Sequence, residues 1–507
     1  MNKNGNLQFA KRMMSCLLPV ACCLLTFTAF SQSSQKIEIL NADALKMDTL
    51  HRAKKLVGNV RLRQDETLMS CDSALFYNNV NAVDAYGNVF IDDTETRVYA
   101  DSLKYDGEKK DATLFGNVRV VQDSATLATT KLIYNSALKQ AAYYEGGNVT
   151  ARDMNITSRR GYYHTATKDA RFKGDVVVIG KDYDLRTDTL RYDTKTEISH
   201  FYGPTEIRRA RENIYCESGW YDTKTGVSVF GKNTLLKSEA QKIWADSLEY
   251  DSNKGFGRAY KNFRWTDTTM KAILTGSRAV YFTEMQRITV TDSALLIYLV
   301  DEDSLFLTAD TLKSREDTTA DATEFFAYPN VRIYKTNLQG VCDSLAFSFR
   351  DSTIRMYKNP VLWNDENQLT GDTIAVLLRN EKLDRIELYE NGFIANKAHD
   401  ELFNQIKGKH IYGYFKDRKL DRLLADGNGE SIYYGKDEED AFIGVNKAIC
   451  SNMWIYLKDE QVSRITFLTK PEATFFPIQS VQPKDFLLKE FEWKEELRPK
   501  SKGELFE

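Results

Sequence analysis

Aspartates recur at a constant spacing along the first half of the chain, and paired carboxylates are the groups with which many enzymes cleave polysaccharides. Asp43, Asp72, Asp101, Asp188 and Asp246 all fall on one 29-residue step. Carboxylates brought together from neighbouring repeats would suit general acid–base chemistry on a polyanionic sugar. The aspartates therefore raise an enzymatic hypothesis.

The rest of the chain gives this hypothesis little support. The same 29-residue step places Thr130, Arg159 and Glu217 in the aspartate position, so not every repeat keeps the carboxylate. The 5 histidines form no H-x-x-x-H or H-E-x-x-H arrangement, and the P-loop, G-x-S-x-G and C-x-x-C motifs are absent. A surface role beside a turn is favoured for the aspartates, and we expect no enzymatic activity, metal or other cofactor.

The aspartate belongs to a longer repeated unit, which residues 98–106 and 114–120 represent. A small residue precedes the aspartate, an apolar residue follows it by two positions, and an aromatic residue follows by four. A polar turn and a Gly-Asn-Val sequence come next. Side chains alternate along a strand, so the second and fourth positions share one face. A glycine inside a strand marks a bulge or a close backbone approach. Each unit therefore predicts two antiparallel strands and two turns.

Repetition on this scale indicates a repeat architecture. We predict an all-β fold, an elongated antiparallel β-jelly roll or solenoid-like array of two-strand repeats of about 29 residues. The predicted parts are a signal peptide (1–31), a regular repeat domain (32–265), a less regular continuation (266–470) and a proline-containing tail (471–507). In the continuation the aspartate position moves to Ser277, Asp310, Asp343 and Asp372. A second module and a kink in one array both explain this loosening.

The tail carries Pro471, Pro477, Pro483 and Pro499, which interrupt strand pairing. Residues 484–494 have the pattern of a short amphipathic helix. The tail either covers the last edge strand or docks a partner.

The N-terminus has the composition of an export signal. Lys3, Lys11 and Arg12 precede an apolar stretch from residue 13 to 30, and a small-x-small cleavage site ends at Ser31. An uncleaved anchor helix and lipidation at Cys22 remain alternatives. Without the three basic residues the formal charge falls from −3 to −6. A chain with this net negative charge lacks the general excess of basic residues that is typical of nucleic-acid-binding proteins. We expect a periplasmic protein, with association at the outer membrane as a further option.

Four cysteines remain after cleavage, and an exported protein can form disulfides. Cys71, Cys216 and Cys342 all stand at the small position before the aspartate. Cys71 and Cys216 are five repeats apart, too far along a stacked array for a disulfide. They are therefore interpreted as small buried residues.

The apolar face of the ladder is the remaining candidate for a function. It forms either a closed, dry core or the wall of an incompletely closed groove that accepts an acyl chain. Periodicity does not distinguish the two. The candidate groove residues are Phe76, Leu103, Tyr105, Leu132, Tyr134, Tyr163, Leu190, Tyr192, Tyr221, Leu248 and Tyr250.

The repeated Ala-Asp-Ser-Leu-x-Tyr-Asp and Gly-Asn-Val-x-Val sequences resemble the OstA/LptA-like family, well over residues 36–265 and more loosely to about 470. The chain looks like the longer OstA-like proteins of Bacteroidota-type Gram-negative bacteria. The resemblance implies an elongated, V-shaped β-jelly roll that carries lipopolysaccharide across the periplasm with the lipid A acyl chains inside. It also implies edge-strand pairing with other lipopolysaccharide-transport proteins, or head-to-tail self-association, in a bridge between the membranes.

Two other hypotheses remain. A structural β-solenoid, acting as an envelope scaffold or adhesin, would have a closed core and bind no lipid. A polysaccharide-active β-helix enzyme would have a compact acidic cleft with a few indispensable carboxylates. The resemblance favours lipid transport.

Overall fold

The computed structural model describes residues 36–506 except 94–95, 123, 152–153, 182, 194, 211–212, 283–286, 301–302, 318–321, 349, 381, 418 and 459–460. The expected signal peptide lies outside the described residues. The first strands are β1 (Glu38–Asn41), β2 (Ala44–Asp48), β3 (Ala53–Gln64), β4 (Thr67–Tyr77), β5 (Ala82–Asp93), β6 (Thr96–Asp106), β7 (Asp111–Gln122), β8 (Ala125–Asn135), β9 (Gln140–Tyr143), β10 (Gly147–Ala151), β11 (Met154–Ser158), β12 (Arg160–His164), β13 (Asp169–Ile179), β14 (Asp184–Asp193), β15 (Ile198–Arg208), β16 (Asn213–Asp222), β17 (Val227–Lys237), β18 (Gln241–Asp251) and β19 (Phe256–Asp267).

The remaining strands are β20 (Ala272–Phe282), β21 (Arg287–Val300), β22 (Asp303–Asp317), β23 (Ala322–Tyr328), β24 (Val331–Lys335), β25 (Leu338–Cys342), β26 (Ser344–Ser348), β27 (Thr353–Tyr357), β28 (Val361–Asn364), β29 (Asn367–Thr370), β30 (Thr373–Arg379), β31 (Lys382–His399), β32 (Leu402–Lys416), β33 (Lys419–Lys436), β34 (Phe442–Lys458), β35 (Gln461–Leu468) and β36 (Glu472–Pro477). Four short 3-10 helices follow, Ile478–Ser480, Pro483–Phe486, Glu495–Leu497 and Lys502–Phe506.

The strands form one antiparallel meander. From β3 to β8 each strand pairs with the strands before and after it, and the same succession runs from β13 to β22. Between these two runs the corresponding strands are broken into halves, β9 with β10 and β11 with β12. The repeat of the sequence is one pair of consecutive strands. The predicted all-β, elongated antiparallel jelly-roll fold is therefore confirmed.

The long strands turn a corner near their middle, where the pairing register shifts and a Gly-Asn sequence or a related pair stands. Between β6 and β7 the register shifts from the pair Tyr99–Arg119 to the pair Ser102–Phe115. Gly116 and Asn117 lie in this bulge, with φ of +70° and +40°. Positive φ is cheap for glycine and tolerated by asparagine. The two halves of each strand can therefore face each other across an interior.

The recurring aspartates stabilise these corners. The Asn117 side chain donates a hydrogen bond from Nδ2 to Asp101 Oδ2 over 2.9 Å. Where Arg159 replaces the aspartate, its guanidinium pairs with Asp175, which replaces the asparagine. The same amide-to-carboxylate bond joins Asn59 to Asp43, Asn88 to Asp72, Asn233 to Glu217, Asn262 to Asp246, Asn330 to Asp310 and Asn391 to Asp372. The carboxylates thus have a structural role at the corners, including those in the less regular continuation.

The corner glycine gives a first testable prediction. A Cβ on Gly116 would lie 2.3 Å from Asp101 Oδ2, whereas a Cβ on Gly146, also at positive φ, would meet nothing within 4 Å. We expect Gly146→Ala to lower the free energy of unfolding by about 1 kcal/mol through backbone strain alone. Gly116→Ala adds the displacement of Asp101, for about 2–3 kcal/mol in total. Urea denaturation followed by circular dichroism measures both, and equal shifts would contradict the corner assignment.

All four described cysteines are buried free thiols. The Cys71 and Cys342 Sγ atoms each donate to the carbonyl oxygen two residues further on, over 3.3 Å. Burial raises the pKa of Cys71 to about 11 and the pKa of Cys216 to about 12. These cysteines are small side chains packed on the inner side of a corner, as predicted.

The tail does not form the predicted amphipathic helix, and this prediction is wrong. It runs back across the continuation as an extended chain with short 3-10 turns. Gln405 Nε2 donates to Phe486 O over 2.8 Å, and Gln405 Oε1 accepts the Leu488 N–H over 2.8 Å. Gln368 makes the same pair of bonds with the backbone of residues 492 and 494, each over 2.7 Å. The tail backbone is paired with these glutamines, so it does not need helical hydrogen bonds.

Candidate functional site

Four apolar cavities follow one another along the interior of the meander. Cavity one (about 80 Å³) and cavity two (about 320 Å³) share Leu132 and Tyr163 as lining residues. Cavity two and cavity three (about 30 Å³) share Ile156 and Tyr192. Cavity three and cavity four (about 360 Å³) share Phe230 and Arg209. The four cavities follow one another from Ile37 to Phe325, and together they are called here the channel.

The channel lies inside the corner of each strand. Val98 and Tyr105 come from opposite halves of β6, and both line cavity one. Side chains from the two halves of one strand therefore face the same space. This geometry follows from the bulge at the corner, because it redirects the second half of the strand.

Nine of the eleven predicted groove residues line the channel. Phe76 and Leu103 do not line any of the four cavities but are buried in the hydrophobic core beside cavity one. The nine are Tyr105, Leu132, Tyr134, Tyr163, Leu190, Tyr192, Tyr221, Leu248 and Tyr250. The structure thus brings most of the aromatic ladder onto one continuous surface.

A second row of channel residues was missed by the sequence analysis. It stands three positions before the aspartate position, in the part of the strand that precedes the corner. Its members are all aliphatic or methionine, and all line the channel: Met69, Val98, Leu127, Ile156, Leu185, Ile214 and Ile243. The signal was present in the sequence, because this row also keeps the 29-residue spacing.

Two ladder tyrosines also bond to polar groups at the ends of other strands. These strand ends and turns, at residues 64–65, 93 and 107–110, are called here the seam. Tyr105 Oη donates to Gln64 Oε1 over 2.6 Å, and Tyr134 Oη donates to Asp93 Oδ2 over 3.4 Å. Burial is the main cause that raises the pKa of each tyrosine to about 12. Both hydroxyls therefore remain protonated donors at neutral pH.

Further polar contacts join the seam near cavity one. Gln64 Nε2 donates to Gly107 O over 3.0 Å, and Lys110 Nζ lies 2.6 Å from Asp65 Oδ2. These bonds connect the tip of β3 to the turn after β6. At this end the seam is closed by hydrogen bonds and one ion pair rather than by a continuous sheet.

The seam gives a second prediction. Tyr105→Phe removes the hydroxyl bonded to Gln64 and keeps the ring on the channel wall. We expect faster amide hydrogen exchange at residues 64–66 and 107–110, with a cost of about 1 kcal/mol for the lost hydrogen bond. Tyr99→Phe, on the same strand, is the matched control, since the Tyr99 ring packs against Phe90 and Arg119. Unchanged exchange in Tyr105→Phe would show that this bond does not hold the seam.

Charged side chains occur among the channel residues at the ends of strands. Arg63 and Asp93 line cavity one, and Lys168 and Glu197 line cavity two. Arg209 lines cavities three and four at the place where they meet. The channel therefore combines an apolar interior with a polar border, as suits an amphipathic ligand.

Neither a metal site nor a membrane-spanning helix occurs in the part of the chain that the structure describes. Among those residues, no group of three or more His, Cys, Asp or Glu side chains is placed to hold a metal ion. None of the described helices has the length and apolar character needed to cross a membrane.

Residues 34–188 match the family model for OstA-like protein. The match includes the repeats from Asp43 to Asp188, so the resemblance inferred from the motifs is confirmed over that range. No curated protein matches the chain. Among solved structures, one similar chain is LptH of Pseudomonas aeruginosa, described as the LptA-homologous periplasmic component of a lipopolysaccharide transport device. It is 20% identical, with 21% of this chain and 79% of that chain covered and a TM-score of 0.19.

Proposed function

We propose that this chain is a periplasmic lipopolysaccharide-transport protein that holds the lipid A acyl chains in its channel. The observation that carries the proposal is the row of four apolar cavities with shared walls, in a chain whose first repeats match the OstA-like family. Members of that family act in transport rather than catalysis, which agrees with the structural role of the aspartates.

The channel chemistry suits acyl chains. Burial of apolar surface contributes roughly 25 cal/mol per Å², and the walls supply aliphatic and aromatic side chains in every repeat. Successive repeats offer similar surfaces, so an acyl chain gains little by staying at one position. Sugars and phosphates would lie at the polar border, beside the cationic side chains of Arg63, Lys168 and Arg209. Movement must be driven by another protein, because the sequence contains no nucleotide-binding motif.

The two ends of the meander support a place within a protein bridge. In the described residues β1 and β2 pair only with β3, and they expose Leu45 (56%) and Met47 (69%). At the other end β36 pairs only with β34 and exposes Phe475 (51%). An unpaired strand edge is a template for pairing with another chain. We propose that one edge docks a further lipopolysaccharide-transport protein, or a second copy of this chain.

Lipid analysis of the purified protein tests the proposal. The chain is exported in a Gram-negative host, purified from the periplasmic fraction, extracted with organic solvent and examined by mass spectrometry. We expect lipid A to co-purify, and lipid-free protein to take up added lipopolysaccharide. Protein that carries no lipid and takes up none would instead support the envelope scaffold with a dry interior.

A further inference from the structure

Phe325 is the last residue in chain order that lines the channel, although the meander continues for many strands. Phe325, on β23, lines cavity four, and it pairs directly opposite Phe347 on β26. The Phe347 ring lies 5.6 Å from the Tyr298 ring, measured between centroids. Both phenylalanines are buried members of one hydrophobic core. An aromatic layer therefore stands across the interior at the end of cavity four.

Packed side chains fill the interior beyond this layer. Met356 and Ile374 belong to the same core as Phe347, are fully buried and line none of the four channel cavities. A further cavity of only about 10 Å³ lies among residues 364–423, and it shares no lining residue with the four channel cavities. A densely packed interior has no room for an acyl chain without displacing its own side chains. The residues after Phe347 are called here the packed section (residues 348–455).

The tail adds a second layer of support to the packed section. Phe486 and Leu488 are buried against Phe393 and Tyr434, on a core separate from the one that contains Phe347. Strand β28 is buried at all four of its residues, so this sheet is covered on both faces. A sheet covered on both faces resists the separation of strands that a lipid would require.

We propose that the lipid channel is blind at its C-terminal end, with Phe325 and Phe347 as the end wall. This inference rests on the proposed function and deepens it. Lipid enters and leaves at the N-terminal end or through the seam before Phe325, and it does not pass from one end of the chain to the other. The C-terminal edge then docks protein without handing on lipid. A head-to-tail array of this chain would not form a continuous channel.

Three leucines, one before the wall, one on its last strand and one beyond it, allow a matched test. Leu248 lines cavity four, whereas Leu345 is buried on β26, the strand that carries Phe347, and lines none of the four cavities. A leucine-sized diazirine amino acid replaces each in turn, and a third variant carries it at Leu388 in the packed section. The near-identical size keeps each variant close to the native packing, and circular dichroism checks the strand content. The full-length exported proteins are loaded with lipopolysaccharide, irradiated and analysed for covalent lipid adducts.

The inference expects lipid adducts at Leu248 and none above background at Leu345 or Leu388. Adducts at Leu248 together with adducts at Leu345 or Leu388 would overturn the blind end and leave the proposed function standing. Absence of adducts at all three positions would overturn the proposed function itself. In the double variant Phe325→Ala, Phe347→Ala, lipid should reach the probe at Leu345. If Leu248 is labelled in that variant and Leu345 is not, the two phenylalanines do not form the end wall.

Discussion

Ala141→Phe is expected to weaken lipopolysaccharide binding roughly a hundredfold, on the assumption that the new ring displaces about four acyl methylene groups at about 0.8 kcal/mol each. Ala141 lies on β9 between the rings of Tyr134 and Tyr163, which are its cross-strand neighbours. It lines both cavity one and cavity two. A phenylalanine there fills the passage between the two cavities. Titration of the purified variant with fluorescent lipopolysaccharide measures the change.

The neighbouring residue provides a matched control. Ala142 lines none of the four cavities, and its cross-strand neighbour Ile133 is 37% exposed. Ala142→Phe introduces the same ring outside the channel and should bind lipid like the native protein. Equal affinity of the two variants would show that acyl chains do not occupy the passage beside Ala141.

The second large effect concerns the tail. Gln405→Leu combined with Gln368→Leu leaves two backbone N–H groups and two carbonyl oxygens of the tail without their bonds. Each unsatisfied buried group costs about 1–3 kcal/mol. We therefore expect the tail to detach and become sensitive to limited proteolysis, and the thermal midpoint of the protein to fall. Lipid binding in the channel should persist, because neither glutamine lines the four cavities.

Gln482→Leu is the control for this prediction. Gln482 belongs to the tail, but its side chain is exposed. The same change of residue type should therefore leave proteolysis and thermal stability unchanged. A double variant that resists protease as well as the control does would show that the glutamine bonds do not hold the tail in place.

The repeat predicted most of the architecture because its periodicity reports local geometry. The alternation of Leu103 and Tyr105 indicates one face of a strand, and Gly116 followed by Asn117 indicates a bulge. Both features depend on residues close together in the chain, and the structure contains both. The partner of Asp101 was not predicted, because the carboxylate–amide bond to Asn117 becomes evident only once the register of β6 and β7 is known.

Long-range contacts account for what the sequence did not show. Tyr105 was assigned to the channel wall, and its additional bond to Gln64 joins residues 41 positions apart. The path of the tail depends on Gln405 and Gln368, which contact residues 81 to 126 positions away. Such pairs leave no periodic signal. Phe347 likewise looks like an ordinary ladder residue, four positions after Asp343, and only its packing against Phe325 and Tyr298 distinguishes it.

Photocrosslinking in the native cell envelope tests the central claim most directly. A photoreactive phenylalanine analogue replaces Tyr192, which lines cavities two and three, or Tyr202, which is 47% exposed on the neighbouring strand. The two positions have the same residue type and lie in adjacent strands, so they differ chiefly in the face they occupy. We predict a lipopolysaccharide adduct at Tyr192 and none at Tyr202. Well-expressed variants that give no adduct at Tyr192, or equal adducts at both positions, would contradict lipid transport through the channel.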